Sequence, residues 1–370
     1  MQNSKYEPYR KGYFSFWNHR NQKKEPVEEE KMNLYVLLAC VILGVVFVNG
    51  WTDAPNSIAT AVTTRSMRAN HAIGMAAICN FLGVWGMTFF NTSVANTVFS
   101  MLDFTSGDTK KSALALFAGM CSVILFSCAA WIFGIPTSES HGLIAGITGA
   151  ALYLNGASAI CWRQWGKILT GLVISLTMGF LLGYFLTIFI RWMGRYFSRR
   201  VAACIFPKGE ILCAAIMAMV HGAQDGQKFI GVFFIAIMLR KGLIAGQQIH
   251  LADQWGVVMV CAVVMALGTM IGGRRIIRSV GFGITPLKQY EGFCADLASA
   301  CSLLLATLLG FPVSTTHVKT MAVVSVGFSQ KGKYIRIRTV KQMVFTWVFT
   351  FPACILFGYF LTGIAFRFFS

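Results

Sequence analysis

Eight apolar runs of bilayer-spanning length dominate this sequence, and a water-soluble fold has no way to hide that many. They cover residues 33–51, 70–90, 112–134, 166–192, 211–239, 255–273, 293–310 and 340–366. A helix of about 20 apolar residues crosses the hydrocarbon core, and it satisfies its own backbone while doing so. Only 12% of the residues are charged, half of the roughly 25% usual for a soluble domain. The expected fold class is therefore all-α, a polytopic membrane protein. Shorter apolar pieces at 53–64, 136–154 and 312–328 are opened by polar residues and read as half-helices, which brings the expected total to about 10–12 membrane segments.

The net charge of +18 does not indicate a nucleic-acid partner. Lys and Arg gather in the links 191–208, 274–288 and 331–341, where the positive-inside rule places them. The eleven cysteines are scattered through apolar segments without a CxxC pair and read as inert buried thiols. Residues 1–32 read as a polar surface tail, with an interfacial helix an option given Tyr9, Tyr13, Phe14, Phe16 and Trp17; no cleavable signal peptide is expected.

Two motifs repeat. NGWTDAPNSIA at 49–59 faces HGAQDGQKFIG at 221–231, matching Asp53 with Asp225, 172 positions apart. Further on, Pro136, Ser138 and His141 match Pro312, Ser314 and His317, 176 positions apart. Duplication is the economical explanation. Placing the three basic links on one face runs the Asp53 segment outside-to-inside and the Asp225 segment the other way. This is the inverted-topology repeat of secondary transporters, built from broken helices and helical hairpins. It also puts both termini outside, although the tail carries seven Lys or Arg against five Glu. The expected divisions are a tail at 1–32, a first repeat at 33–165, a connecting span and basic loop at 166–208, an inverted second repeat at 209–339, and a final span at 340–370.

A charge at mid-membrane costs about 2.5–3.5 kcal/mol on insertion scales and usually serves function. Asp53 is the only charged residue between Lys31 and Arg65, and Asp225 and Lys228 lie inside the run 211–239. A single such Asp is ordinarily a cap or an Arg partner; two at matched repeat positions point to a site. Gly50, Thr52 and Pro55 interrupt the first run, and Gly222, Gly226 and Gln227 are expected to interrupt the second. Opened backbone together with Asp53, Asp225, Asn49, Gln224 and Glu139 offers hard oxygen ligands for a coupling cation, and a carboxylate can also carry a proton.

The Pro-Ser segments suit the opposite charge. A proline at the first helical position would leave free amides, a positive dipole end and hydroxyls at one point. Thr137, Ser138, Ser140, Ser314, Thr315 and Thr316 are the expected anion donors, with Asn56, Gln227 and Lys228 beside them. Ordinary N-capping is the competing reading of those hydroxyls. His141 and His317 read either as anion donors or as residues orienting the turn. Lys228 either offsets substrate charge or snorkels to the interface.

The stretches 49–67 and 221–233 resemble the duplicated signature of PiT-type inorganic phosphate transporters. PTSESH at 136–141 and PVSTTH at 312–317 are similar to that family's hairpin elements. The resemblance implies a multi-pass, usually dimeric cell-membrane symporter of inorganic phosphate driven by sodium or protons, with no cofactor, resident metal or catalytic residue. It carries cation and substrate binding to Asp53, Asn56, Asp225 and Gln227, and anion binding to Ser138, Ser314, Thr315 and Thr316. The sequence departs from the pattern at Thr52 and Gln224, where Asn is common, and at Glu139, where Ser or Thr is usual. The Gln-Lys pair is similar to bacterial members described as proton-coupled and able to move metal–phosphate complexes. A sulfate permease of the same fold is the nearest alternative. Two intramembrane Asp residues also fit an aspartyl protease, but His-Gly-Ala-Gln precedes Asp225 where those enzymes carry GxGD.

Overall fold

A computed structural model of the chain describes residues 26–104, 108–133, 137–242, 254–272, 277, 283–330 and 335–369. Pro136, most of the amino-terminal tail and parts of two basic links lie outside the described residues. Those described are helical, with one isolated bridge between Leu102 and Ile160 and no strand. Among the described residues, seven helices are long and apolar enough to cross a membrane, and a shorter apolar helix at Trp255–Ile271 joins them. The lipid-facing surface is apolar, as Phe345, Val348, Phe349 and Phe360 on the last helix illustrate. Polar side chains are instead concentrated in the interior, the inverse of a soluble protein.

The first half begins with α1 (Pro26–Thr52), a 3-10 turn (Ala54–Ile58) and α2 (Ala59–Thr63). Pro55 sits at the start of that turn; it has no amide to donate and its ring crowds the preceding turn, so the ladder breaks beside Asp53. There follow α3 (Ala69–Leu82), a π-helical turn, α4 (Thr88–Phe90), α5 (Ser93–Phe99), α6 (Thr109–Phe133), α7 (Glu139–Asn155) and α8 (Trp162–Met193).

The second half differs from expectation at its start. α9 (Arg199–Lys241) runs unbroken through Asp225. Glycine, unlike proline, keeps its N–H, so Gly222 and Gly226 do not break the ladder. Their missing side chains serve packing instead: a Cβ at Gly222 would strike the backbone of Asn80, and one at Gly226 the side chain of Val84. Then come α10 (Trp255–Ile271), α11 (Gln289–Leu308), α12 (Thr315–Ser329) and α13 (Ile337–Phe369).

Shifting α6, α7 and α8 by the hairpin offset lands on α11, α12 and α13. α8, expected to be a connector, therefore occupies in the first half the place that α13 holds in the second. The two also exchange partners, because α8 packs on α12 and α13 packs on α7. Gly179 on α8 lies against the backbone of Val318, and Gly358 on α13 against that of Gly146. Reciprocal contacts of this kind are what a two-fold relation produces. We propose that the boundary between the halves falls at 194–198.

Candidate functional site

Both hairpin arms, α7 and α12, begin in the protein interior. Ser138 and Ser314 are their N-caps, each hydroxyl accepting from the amide three residues on, His141 and His317, at 3.3 Å. The capping reading of these serines is thus correct. Yet the caps also meet: Ser138 Oγ donates to Ser314 Oγ at 2.8 Å. Two positive helix ends face one point, and the first-turn amides of Glu139, Ser140, Thr315 and Thr316 have no acceptor within their own helix. Pro312 precedes its cap by two residues, so it does not occupy the first helical position as expected; it stops the chain from entering the helix early.

The carboxylates sit beside these tips and are fully buried. Asp53 Oδ1 accepts from Thr316 Oγ1 at 2.6 Å and from Asn56 Nδ2 at 2.5 Å, and Asp53 Oδ2 accepts from Thr315 Oγ1 at 3.0 Å. Asp225 Oδ1 accepts from Ser140 Oγ at 3.4 Å and from Lys228 Nζ at 2.6 Å, and Asp225 Oδ2 accepts from Asn49 Nδ2 at 3.2 Å. Each half's aspartate is therefore held by the other half's hairpin. Lys228 Nζ also donates to Ser140 Oγ at 2.5 Å and to the carbonyl of Val313 at 2.6 Å. It does not snorkel, because its side chain is 1% exposed. Thr137 contributes its carbonyl, which accepts from Thr316 Oγ1 at 3.4 Å. Glu139 accepts from Thr52 Oγ1 at 2.9 Å and from Ser127 Oγ, making a third buried carboxylate.

Several expected residues are not brought to this centre. Gln224 donates to the carbonyl of Phe311 at 2.8 Å and accepts from Thr307 Oγ1 at 2.6 Å. Gln227 donates to the carbonyl of Asn91 at 2.8 Å. The unbroken α9 is the reason. His221, Asp225 and Lys228 recur at helical spacing on one face; Gln227 falls off that face toward the Asn91 carbonyl, and Gln224, at its edge, is taken up by Phe311 and Thr307. His141 and His317 stack on each other, ring centroids 4.5 Å apart, and on Phe351 and Trp347 of α13. Their rings lie among aromatics and not against the carboxylates.

His221 was not singled out in the sequence, although its spacing of four from Asp225 could have found it. Thr269 Oγ1 gives its proton to the carbonyl of Met265, so it accepts from Asn80 Nδ2 at 3.2 Å. Asn80 Oδ1 is thereby left as the acceptor for His221 Nδ1 at 3.0 Å. That relay makes Nδ1 the donor toward Asn80 and turns Nε2 toward the carboxylates. Nε2 lies 3.4 Å from Asp225 Oδ2. Ligand atoms of Asp53, His221 and Asp225 all fall within 4.8 Å of one another. A ring nitrogen beside two carboxylates is an arrangement stabilised by a cation or a proton among them.

A second buried polar cluster also escaped the sequence reading. Lys319 on α12 pairs with Asp296 on α11 and donates to Thr60 Oγ1 at 3.0 Å. Beyond it, Glu210 Oε2 accepts from Thr64 Oγ1 at 2.8 Å and Ser66 Oγ at 2.5 Å. Asp296 and Lys319 are lone charges in apolar runs, the same signal that identified Asp53.

Residues 49–358 match the family described as the phosphate transporter family, PHO4. The chain is 36% identical over 326 residues to the "Probable low-affinity inorganic phosphate transporter" of Rhizobium meliloti strain 1021, covering 87% of this chain and 94% of that protein. It is 33% identical over 337 residues to the protein of the same description in Bacillus subtilis strain 168, covering 90% and 98%. A solved structure titled "The sodium-dependent phosphate transporter" shares the fold, with a TM-score of 0.79 and 20% identity over 91% of this chain and all of that one.

Proposed function

The chain belongs to the phosphate transporter family, and from that premise we propose a secondary active symporter that moves inorganic phosphate by alternating access across the cell membrane. It is a membrane transporter and not an enzyme; the family match sets aside the protease reading.

The reciprocal pairing of Asp53 with Thr316 and of Asp225 with Ser140 carries the mechanism. Two helix tips, their free amides and several hydroxyls supply donors from opposite directions, which a tetrahedral oxyanion requires. Three carboxylates nearby make the same place repel an anion unless a cation or proton arrives with it. That is a physical basis for coupling. A divalent anion entering against 100 mV costs about 4.6 kcal/mol, and co-moving cations offset this. Protonated phosphate can donate to a carboxylate, whereas sulfate at neutral pH cannot, so this site favours phosphate.

Asp53, with Asp225 and His221 beside it, is the region we assign to the coupling cation. The same trio supports a second reading in which phosphate travels as a metal complex, because a nitrogen and two carboxylates suit a divalent ion. Because the halves turn about a shared axis, swinging one hairpin away from the opposite aspartate would open the centre to one side at a time.

Labelled-phosphate uptake into proteoliposomes, with sodium and pH gradients imposed separately, tests the proposal. Uptake driven by one of them, and unaffected by excess sulfate, is expected. Equal competition by sulfate would transfer the assignment to that anion, and no uptake under either gradient would overturn symport.

A further inference from the structure

The repeat relates two sets of atoms around the aspartates, and one position in them differs in kind. In the second half, Lys228 Nζ sits among Asp225 Oδ1 at 2.6 Å, Ser140 Oγ at 2.5 Å and the Val313 carbonyl at 2.6 Å. The repeat converts these into Asp53 Oδ1, Thr316 Oγ1 and the Thr137 carbonyl, since 140 and 316, and 137 and 313, share the hairpin offset. That mirror set exists in the structure. Thr316 Oγ1 touches both Asp53 Oδ1 and the Thr137 carbonyl. The residue in the place of Lys228 is Asn56, whose amide nitrogen reaches Asp53 Oδ1 at 2.5 Å and Thr316 Oγ1 at 3.2 Å.

A carboxylate, a hydroxyl and a carbonyl converging on one point are oxygen ligands for a small monovalent cation. In the second half the chain supplies that cation covalently, as an ammonium with three donors and three oxygens around it. In the first half it supplies only a neutral amide, and Asp53 keeps its charge.

We propose that Lys228 is a tethered counter-cation that permanently fills one of two mirror-related cradles, so that only the Asp53 cradle takes a mobile coupling cation. The chain then couples phosphate to one cation fewer than a protein with Asn at both positions. Lys228 is a positioning and specificity residue, setting stoichiometry through Asp225 without accompanying the substrate. This rests on the transport reading above.

Sodium-22 binding to the purified full-length chain at saturating inorganic phosphate counts the cradles. Lys228→Asn is expected to bind one Na+ per chain more than the unmodified protein, and adding Ser140→Ala, which removes a ligand of the opened cradle, to abolish the gain. A folded Lys228→Asn protein with an unchanged count overturns the proposal. Should that variant not fold, Asn56→Lys decides: it places an ammonium in the remaining cradle, and phosphate binding to it should lose its dependence on sodium and on pH. Dependence retained as in the unmodified chain overturns the proposal equally. Absence of phosphate transport by the unmodified protein would instead sink the transport reading, whatever the sodium count.

Discussion

Ser138 Oγ and Ser314 Oγ lie 2.8 Å apart, each the cap of a helix whose partner begins 176 residues away. This hydrogen bond, with that of Thr316 Oγ1 to the Thr137 carbonyl, joins the tips of both hairpins, so neither helix end can move without disturbing the other.

Ser138→Ala and Ser314→Ala should each raise the phosphate concentration for half-maximal uptake by about tenfold, as expected for losing a hydrogen bond to a charged group worth about 1.5 kcal/mol. Initial-rate uptake against phosphate concentration measures it. Unchanged half-saturation in both variants would move the anion site elsewhere. Their double mutant should fall short of additivity, because the two share one contact.

Asp53→Ala and Asp225→Ala should both abolish uptake while protein still reaches the membrane. Their stabilities should differ. Asp225→Ala leaves the buried ammonium of Lys228 without its partner, and breaking such a pair costs about 3–5 kcal/mol. Asp53 has no ammonium against it, only Asn56 and two threonine hydroxyls. Thermal unfolding in detergent should therefore place Asp225→Ala well below Asp53→Ala, and Asp225→Asn with Lys228→Met should recover part of the loss. Equal stabilities would contradict the pairing described.

The Lys319–Asp296 pair should behave as a buried ion pair. Removing either member alone, as Lys319→Met or Asp296→Leu, should destabilise by about 3–5 kcal/mol, and removing both by much less. A double-mutant cycle on detergent-purified protein reports the coupling. Additive losses would show that the two charges do not depend on each other.

Gly222→Val should prevent α9 from closing on α3, since its side chain would occupy the backbone of Asn80. Loss of a monodisperse, folded protein on size exclusion is the expected outcome. Gly74→Ala, which meets nothing within 4 Å, should be tolerated. Normal folding of the valine variant would mean that the two helices do not approach this closely.

Much of the architecture was legible because bilayer and backbone leave few choices. Apolar length reports spans, and Asp53 and Asp225 stood out because charge is expensive there. The break at Pro55 follows from its missing amide. The same reasoning failed at Gly222 and Gly226, because glycine weakens a helix without forbidding it, and close packing against Asn80 and Val84 outweighed that preference. The correspondence of α8 with α13 lies in position along the chain and not in a shared motif.

By itself, then, the sequence determined an all-helical membrane chain, a duplication, and the burial of Asp53 and Asp225, since hydropathy and repeat spacing are properties of order along the chain. Only the tertiary structure decided the partners. It paired Asp53 with Thr316 and Asp225 with Ser140 across the halves, turned Gln224 and Gln227 away, and brought in His221, Lys319 and Glu210. The reason is geometric: a two-fold relation exchanges neighbours between halves, and helical phase decides which face of α9 meets them, so contacts separated by so many residues are settled only when the helices pack.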